Sequence, residues 1–246
     1  MFTPEREDTT PQAHAPSSLT PERARYVAIV TDGSARWAHA HGLSISAGHE
    51  AAADTVIARI EDAIELGIEE LTLYAFSTEN WTRPPEEVGA VLEMLTRRIA
   101  ADTPTLHARD VRIRFIGRRD RAGAKLVERL ESAEELTAGN RGLRVQVALD
   151  YGGRDEIVSA ARRFQGGSED DFAKLLGVAE MHDPDLVIRT SGEQRLSNFL
   201  LWQSAYAELV FRPELWPDFG PQALEECLKE YAERRRRFGG RATQTR

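Results

Sequence analysis

The chain has 246 residues, 41% hydrophobic and 29% charged, and its 40 acidic side chains outnumber the 32 Lys and Arg for a formal charge of −8. That mix excludes wholesale disorder, and a pI near 5.4 does not suit sequence-independent nucleic-acid binding, so no nucleic-acid partner is expected. The single cysteine, Cys227, excludes an intramolecular disulfide and a Cys-rich zinc site, and no run of ~18 apolar residues offers a membrane span.

Residues 1–24 read as a disordered leader, with four of the eleven prolines and few large apolar side chains. They lack the apolar core of a signal peptide, which makes the cytoplasm the expected compartment. Residues 26–31 (YVAIVT) form a β-branched run, predicting a strand buried on both faces and ended by Asp32-Gly33-Ser34. A helix is predicted over residues 48–66, with Ala53, Ile57, Ile60 and Ile64 on its apolar face and Gly67 as its stop. Residues 71–76 (LTLYAF) are a second buried strand, followed by a polar loop over 77–83. Pro84 and Pro85 then open a helix expected to run to about Ala101.

Residues 111–116 (VRIRFI) alternate, as a strand with one solvated face does. A helix over 125–136, a strand over 143–149, a helix ending near Phe164 and a short helix over 170–176 follow. Strands over 185–189 and 208–211 and a charged helix over 222–237 complete the chain. Such alternation predicts one α/β domain over residues 25–240, with a mostly parallel sheet of about six strands flanked by helices, and a short tail over 241–246.

In open α/β sheets, ligands bind at the carboxyl ends of the strands. There the chain places Asp32, Gly33, Ser34 and Arg36, then Ser77, Glu79, Asn80 and Arg83, then Arg189, Thr190, Ser191, Glu193, Arg195 and Ser197. Arginine forks and a glycine that admits close backbone approach suit phosphate oxygens. A lone carboxylate such as Asp32 beside phosphates suits Mg²⁺, which takes one or two carboxylates plus substrate oxygens. Any one of these residues alone reads as a turn or a solvated charge; the three loops together read as a diphosphate or phosphate-ester site with magnesium. Trp37, Phe76, Trp81, Phe199, Trp202 and Tyr206 lie in or beside these loops and would give the ligand's hydrocarbon part an apolar wall. The sequence has no Walker-type loop, no GxGxxG after a strand, no GxSxG and no HExxH.

Three blocks carry a family resemblance: residues 27–38 (VAIVTDGSARWA), residues 71–84 (LTLYAFSTENWTRP), and the run from Asp185 through residues 189–203 (RTSGEQRLSNFLLWQ) to Ala207-Glu208. Together with Arg236, Arg237, Phe238, Gly239 and Gly240, they resemble the cis-prenyltransferases, the undecaprenyl diphosphate synthase family. The resemblance implies a homodimeric, Mg²⁺-dependent enzyme with a hydrophobic tunnel, which joins an allylic diphosphate to isopentenyl diphosphate and contacts a membrane surface when its product is long.

Carried over by position, Asp32 would hold magnesium with Glu208, and Asn80 would accept a proton. Gly33, Ser34, Ala35, Arg36, Trp37 and His49 would line the allylic site. Ser77, Thr78, Glu79, Asn80, Trp81 and Arg83 would form the loop that bridges substrate and tunnel. Arg189, Arg195, Leu196 and Ser197 would bind the second diphosphate. The segment at 236–240 looks like the one that reaches across the bacterial homodimer, and small residues at Ala51, Ala52, Ala53 and Ala75 permit a deep tunnel.

The departures from the family pattern bear on the product. The usual asparagine is Ser34, a family arginine that contacts the allylic diphosphate is Ile45, the common Asn-Tyr-Gly-Gly reads Asp150-Tyr151-Gly152-Gly153, and the stretch between Arg163 and Asp185 is shorter than usual. An altered first-substrate site beside an intact second one implies a short C10–C15 product, made by head-to-middle coupling with dimethylallyl diphosphate as nucleophile. A conventional Z-elongating synthase and a non-catalytic prenyl-diphosphate-binding subunit are the alternatives.

Overall fold

β1 (Tyr26–Val30) lies at the centre of a six-stranded sheet ordered β3-β4-β2-β1-β5-β6 in a computed structural model that describes residues 23–177 and 181–234. The other strands are β2 (Glu70–Ser77), β3 (Arg112–Ile116), β4 (Arg144–Tyr151), β5 (Leu186–Arg189) and β6 (Glu208–Phe211). Every pairing is parallel, so the expected mostly parallel sheet is wholly so. The β-branched run of β1 is buried on both faces, and helices cover the sheet as crossover connections require.

The helices are α1 (Ser34–Ala40), α2 (Ile45–Glu65), α3 (Pro85–Ala108), α4 (Ala124–Leu136), α5 (Gly153–Arg163), α6 (Glu169–Ala173) and α7 (Pro221–Glu233). A 3₁₀ turn spans Thr78–Thr82 where a plain loop was expected, and a second spans Trp216–Asp218. One apolar cluster packs Ile29, Leu71, Leu73, Phe76 and Ile188 against α2, α3, α4 and α7, and a smaller one fills the other face around Val30, Tyr74, Tyr151 and Phe199. Each fully buried side chain of this size stabilises the fold by about 1.5–3 kcal/mol.

Several boundaries differ from the sequence expectation, among them α6, which ends at Ala173, and α7, which ends at Glu233. α1 follows β1 directly, although only Ala38 of its seven residues is buried. α2 starts three residues earlier than expected because the Ser44 hydroxyl caps it, accepting from the Ala47 N–H at 3.2 Å. Its buried residues are Gly48, Thr55, Arg59, Ile60 and Ala63, and Arg59 is kept in the core by Asp62 and the Phe219 carbonyl. α3 runs on through Pro104 to Ala108, with Thr103 and Leu106 buried on either side of the proline. Ala24 is already packed in the core. Most of the expected leader, the tail and residues 236–240 lie outside the described residues, and no helix among the described residues is long and apolar enough to cross a membrane.

Candidate active site

The carboxyl ends of β1, β2 and β5 meet at one cavity of about 700 Å³. Its polar end holds Asp32, Gly33, Ser34, Ala35 and Arg36 after β1, Ser77, Glu79, Asn80 and Arg83 after β2, and Arg189, Ser197 and Asn198 around β5. Its apolar end is a trough between α2 and α3, walled by Ala52, Ala53, Val56, Val91, Met94 and Leu95, with Ala75, Phe76 and Trp216 beside them. This volume lies within the ~300–1,000 Å³ range of small-ligand pockets.

Asp32 is fixed before any ligand arrives. Its N–H donates to the Val30 carbonyl and the Thr190 hydroxyl, each at 3.0 Å, and its carbonyl accepts from Thr190 Oγ1 at 2.7 Å and the Trp216 N–H at 3.0 Å. Arg189 Nη2 donates to Asp32 Oδ2 at 2.8 Å, and Arg36 Nη2 stands 3.5 Å from Oδ1. Burial pushes the carboxyl pKa up, but hydrogen bonds from Arg189 and Ser191 and the arginine charges outweigh it and hold Asp32 below the usual carboxylate range.

Arg189 is buried, and its guanidinium also serves the Arg195 carbonyl and, at 2.7 Å, Ser197 Oγ. Arg36 bridges to the Ser191 hydroxyl at 2.6 Å and carbonyl at 3.2 Å. Arg83 pairs with Glu87 at 3.0 Å. His49, on α2, has a buried Nε2 with no partner among the described residues, and burial, with the Arg83 charge, lowers its pKa so that the ring is neutral at pH 7. Among the ionisable side chains of the lining, four arginines (36, 83, 154 and 189) face two carboxylates (Asp32 and Glu79), so the cavity carries an excess of two positive charges.

The Thr78–Thr82 turn is built with equal care. Asn80 Oδ1 accepts from the Ser77 N–H at 2.9 Å in a capping box, and the Glu79 carboxylate accepts from Asn198 Nδ2 at 2.8 Å and Thr78 Oγ1 at 3.1 Å. Burial opposes ionisation of Glu79, yet the Asn198 bond and the local donors hold its pKa down. Gly33 sits at φ +116, where a Cβ would also stand 2.9 Å from Leu215 Cδ2; only glycine fits this end of β1.

The cavity lining includes Asp32, Gly33, Ser34, Ala35, Arg36, His49, Ser77, Glu79, Asn80, Arg83, Arg189 and Ser197, as the sequence reading placed them. Other candidates stand elsewhere. Trp37 donates to Asp218 Oδ1 at 2.8 Å and packs on His41, and Trp81 turns away from the cavity to donate to Asp150 Oδ1 at 2.8 Å. Thr78 supports Glu79, Arg195 is exposed and bonded to Glu193, and Leu196 packs on the smaller core cluster.

Glu208 stands away from the cavity lining. It opens β6, and Phe211, not Glu208, is level with Arg189, so three rises of ~3.3 Å set Glu208 about 10 Å back along the strand. Its carboxylate is taken by Arg234 Nη1 at 2.7 Å, at the amino edge of the sheet. One chain therefore does not bring Glu208 to Asp32, and among the described residues no group of three or more His, Cys, Asp or Glu could hold a metal. Asp32 alone could share a cation with oxygens that a ligand supplies.

Of the expected aromatic wall, only Phe76 lines the cavity. Phe199 is core, stacked on Tyr74 at 4.5 Å, Trp202 packs on Phe172, and Tyr206 is exposed. Ala52, Ala53 and Ala75 line the trough and Ala51 does not. Sequence reasoning missed Trp216, whose indole N–H donates to the Ala52 carbonyl at 3.0 Å, and it missed Arg154 and Asn198, for which no local signal existed.

A cationic head pocket that also holds the ionised Asp32 and Glu79, continuous with an apolar trough, defines a site for an amphiphilic anion. The profile of the family described as "Putative undecaprenyl diphosphate synthase" matches residues 30–239. An isoprenyl transferase of Chromobacterium violaceum is 46% identical over 223 residues, covering 89% of each chain. The ditrans,polycis-undecaprenyl-diphosphate synthase ((2E,6E)-farnesyl-diphosphate specific) of Escherichia coli K12 is 45% identical over 227 residues, 88% of this chain and 90% of that one. The crystal structure of lavandulyl diphosphate synthase from Lavandula x intermedia, in complex with dimethylallyl diphosphate, superposes with a TM-score of 0.85 at 34% identity, covering 88% of this chain and 98% of that one. The chain belongs to the undecaprenyl diphosphate synthase family and is a prenyltransferase.

Proposed function

We propose that the protein joins an allylic prenyl diphosphate to a second five-carbon diphosphate in an Mg²⁺-dependent condensation that releases pyrophosphate. The observation that carries this reading is a cavity whose head is cationic and whose tail is apolar. The allylic C–O bond breaks, its electron pair leaves with pyrophosphate, a C–C bond forms to the nucleophile's double bond, and a proton is lost.

Arg36 and the first turn of α1 receive the leaving diphosphate, and Arg189 with Ser197 holds the diphosphate of the second substrate. Arg83 and Arg154 add charge to the same head, a placement that stabilises the negative charge developing on the leaving group. The trough keeps water from the cationic carbon. Asn80, its Oδ1 fixed by the Ser77 N–H, stands in the lining as a weak proton acceptor. Asp32, ionised and partly exposed, fits a magnesium that arrives with the diphosphate, and the ion supplies charge neutralisation of the leaving group.

Two observations favour regular Z-elongation with isopentenyl diphosphate. Ile45, at the position of the family arginine, is 46% exposed and does not line the cavity, so that change leaves the pocket wall intact. The relatives near 45% identity include undecaprenyl-type synthases. The second reading is a short C10–C15 product by head-to-middle coupling of dimethylallyl diphosphate; it rests on Ser34, which does line the cavity, and on the likeness to the lavandulyl enzyme. Mass spectrometry of products made with dimethylallyl, geranyl or farnesyl diphosphate separates the two. Elongation gives C5 increments only when isopentenyl diphosphate is present, and head-to-middle coupling gives a C10 product from dimethylallyl diphosphate alone. Homodimerisation belongs to this proposal, and light scattering of the purified protein checks it.

The close fit behind the Thr78–Thr82 turn gives a further expectation. A Cβ on Gly152 would lie 2.5 Å from Thr78 Oγ1 and 2.7 Å from Asn198 Nδ2, so Gly152→Ala pushes both away from Glu79. Steady-state kinetics are expected to show KM for the allylic diphosphate rising by about tenfold.

A further inference from the structure

The mechanism makes no use of the Asp150 carboxylate, which is 1% exposed at the end of β4 and adopts φ +50. Asp and Asn tolerate that left-handed conformation better than other side-chain-bearing residues. Arg121, in the connection from β3 to α4, grips the carboxylate with both arms of its guanidinium: Nε donates to Oδ2 at 2.9 Å and Nη2 donates to Oδ1. The same Oδ1 accepts from Trp81 Nε1 at 2.8 Å, and the Arg121 guanidinium lies 4.9 Å from the centre of the Trp81 ring. Trp81 also meets Phe76 edge-on, with ring centres 5.7 Å apart. Its indole is thus held at the edge by a carboxylate, over the face by a cation and at the side by a core aromatic. It belongs to the Thr78–Thr82 turn, whose neighbouring residues Glu79, Asn80 and Arg83 line the cavity.

We propose that Asp150 and Arg121 are positioning residues for substrate capture: their ion pair clamps Trp81 from behind and so sets how the Thr78–Thr82 turn presents Glu79, Asn80 and Arg83 to the diphosphate substrate. The proposal deepens the condensation reading and rests on it for its kinetic arm. The indole donates a charge-assisted hydrogen bond and sits under a cation; neutralising the pair leaves the indole only a weaker, neutral bond at position 150 and removes the cation altogether. A partner that held only the fold would affect stability; a clamp on this turn also affects binding.

The test compares the wild type with Arg121→Met, Asp150→Asn and the double variant Asp150→Asn/Arg121→Met. Thermal unfolding, kcat and KM for the allylic diphosphate, and acrylamide quenching of the Trp81 emission (assigned by difference from Trp81→Phe) are measured in each. Arg121→Met strands a buried charge and lowers Tm; the double variant removes that charge and regains Tm. The clamp predicts that the double variant nevertheless keeps a KM raised about tenfold, with kcat within about twofold, and a Trp81 more open to quencher. If KM and quenching return to wild-type values together with Tm, the pair is only structural and the proposal is overturned. If the wild type releases no pyrophosphate, the condensation reading fails while quenching and Tm still decide the clamp.

Discussion

Asp32→Asn is expected to lower pyrophosphate release by on the order of 10²–10³-fold while leaving the fold intact, as measured by a coupled phosphate assay and thermal unfolding on the same sample. Asparagine keeps an oxygen for Arg189 Nη2, so the buried guanidinium retains its partner and the β1 end retains its backbone bonds to Thr190 and Trp216. The full negative charge is lost, and with it the affinity for a cation shared with the diphosphate. Because arginine bonds and charges hold the Asp32 pKa below the usual range, the wild-type carboxylate stays ionised through mildly acidic pH. Its favourable pairing is present above the unfolded carboxylate pKa of 3.8 and is lost only as pH falls through the lower folded value. The wild-type rate should therefore not fall between pH 8 and pH 6 through protonation of Asp32. A protein that only bound prenyl diphosphates would show no turnover to lose and would keep most of its affinity in this variant.

Arg189→Met is the second large effect, and it acts on stability as well as chemistry. The guanidinium ties together Asp32, Ser197 and the Arg195 carbonyl, and so joins the loop after β1 to the loop after β5. Methionine fills the space but leaves Asp32 without its arginine and the Ser197 loop, with its left-handed residues Ser197, Asn198 and Leu200, without its tie. Asp32 is partly exposed, so losing its arginine costs less than the ~3–5 kcal/mol of a fully buried pair, and Tm should still drop measurably. Any folded fraction should bind diphosphate at least tenfold more weakly, as read by calorimetry with a prenyl diphosphate. Arg189→Lys should not restore binding, because a point-charge ammonium cannot span the three acceptors that the planar fork reaches.

Much of the scaffold was legible because a parallel sheet buried on both faces writes itself as short apolar runs. Residues 26–31 and 71–76 are such runs, and both became central strands. The strand-end loops were legible because the chain puts arginines, hydroxyls and carboxylates where α/β sheets open. α1 was not, because a seven-residue helix with one buried residue carries too little apolar periodicity to register.

Glu208 illustrates a different limit. A motif names the residue, but only the register of β6 on β5 shows that it sits at the far edge of the sheet with Arg234. Trp216, Arg154 and Asn198 reach the cavity through tertiary packing alone, from a 3₁₀ turn, the start of α5 and a left-handed loop. Asp150 stood out only as a departure from a family pattern, and its link to Trp81 across 69 residues of sequence needed the fold to be seen.

The central claim is that one cavity both activates a diphosphate and shelters the resulting cation. It is tested most directly by incubating the purified protein with farnesyl diphosphate and isopentenyl diphosphate, with Mg²⁺ or with EDTA, and counting pyrophosphate against product mass. The account predicts one pyrophosphate for each five-carbon unit added, and none with EDTA. Tight binding of farnesyl diphosphate with no pyrophosphate released under any pairing of allylic and five-carbon substrates would contradict it.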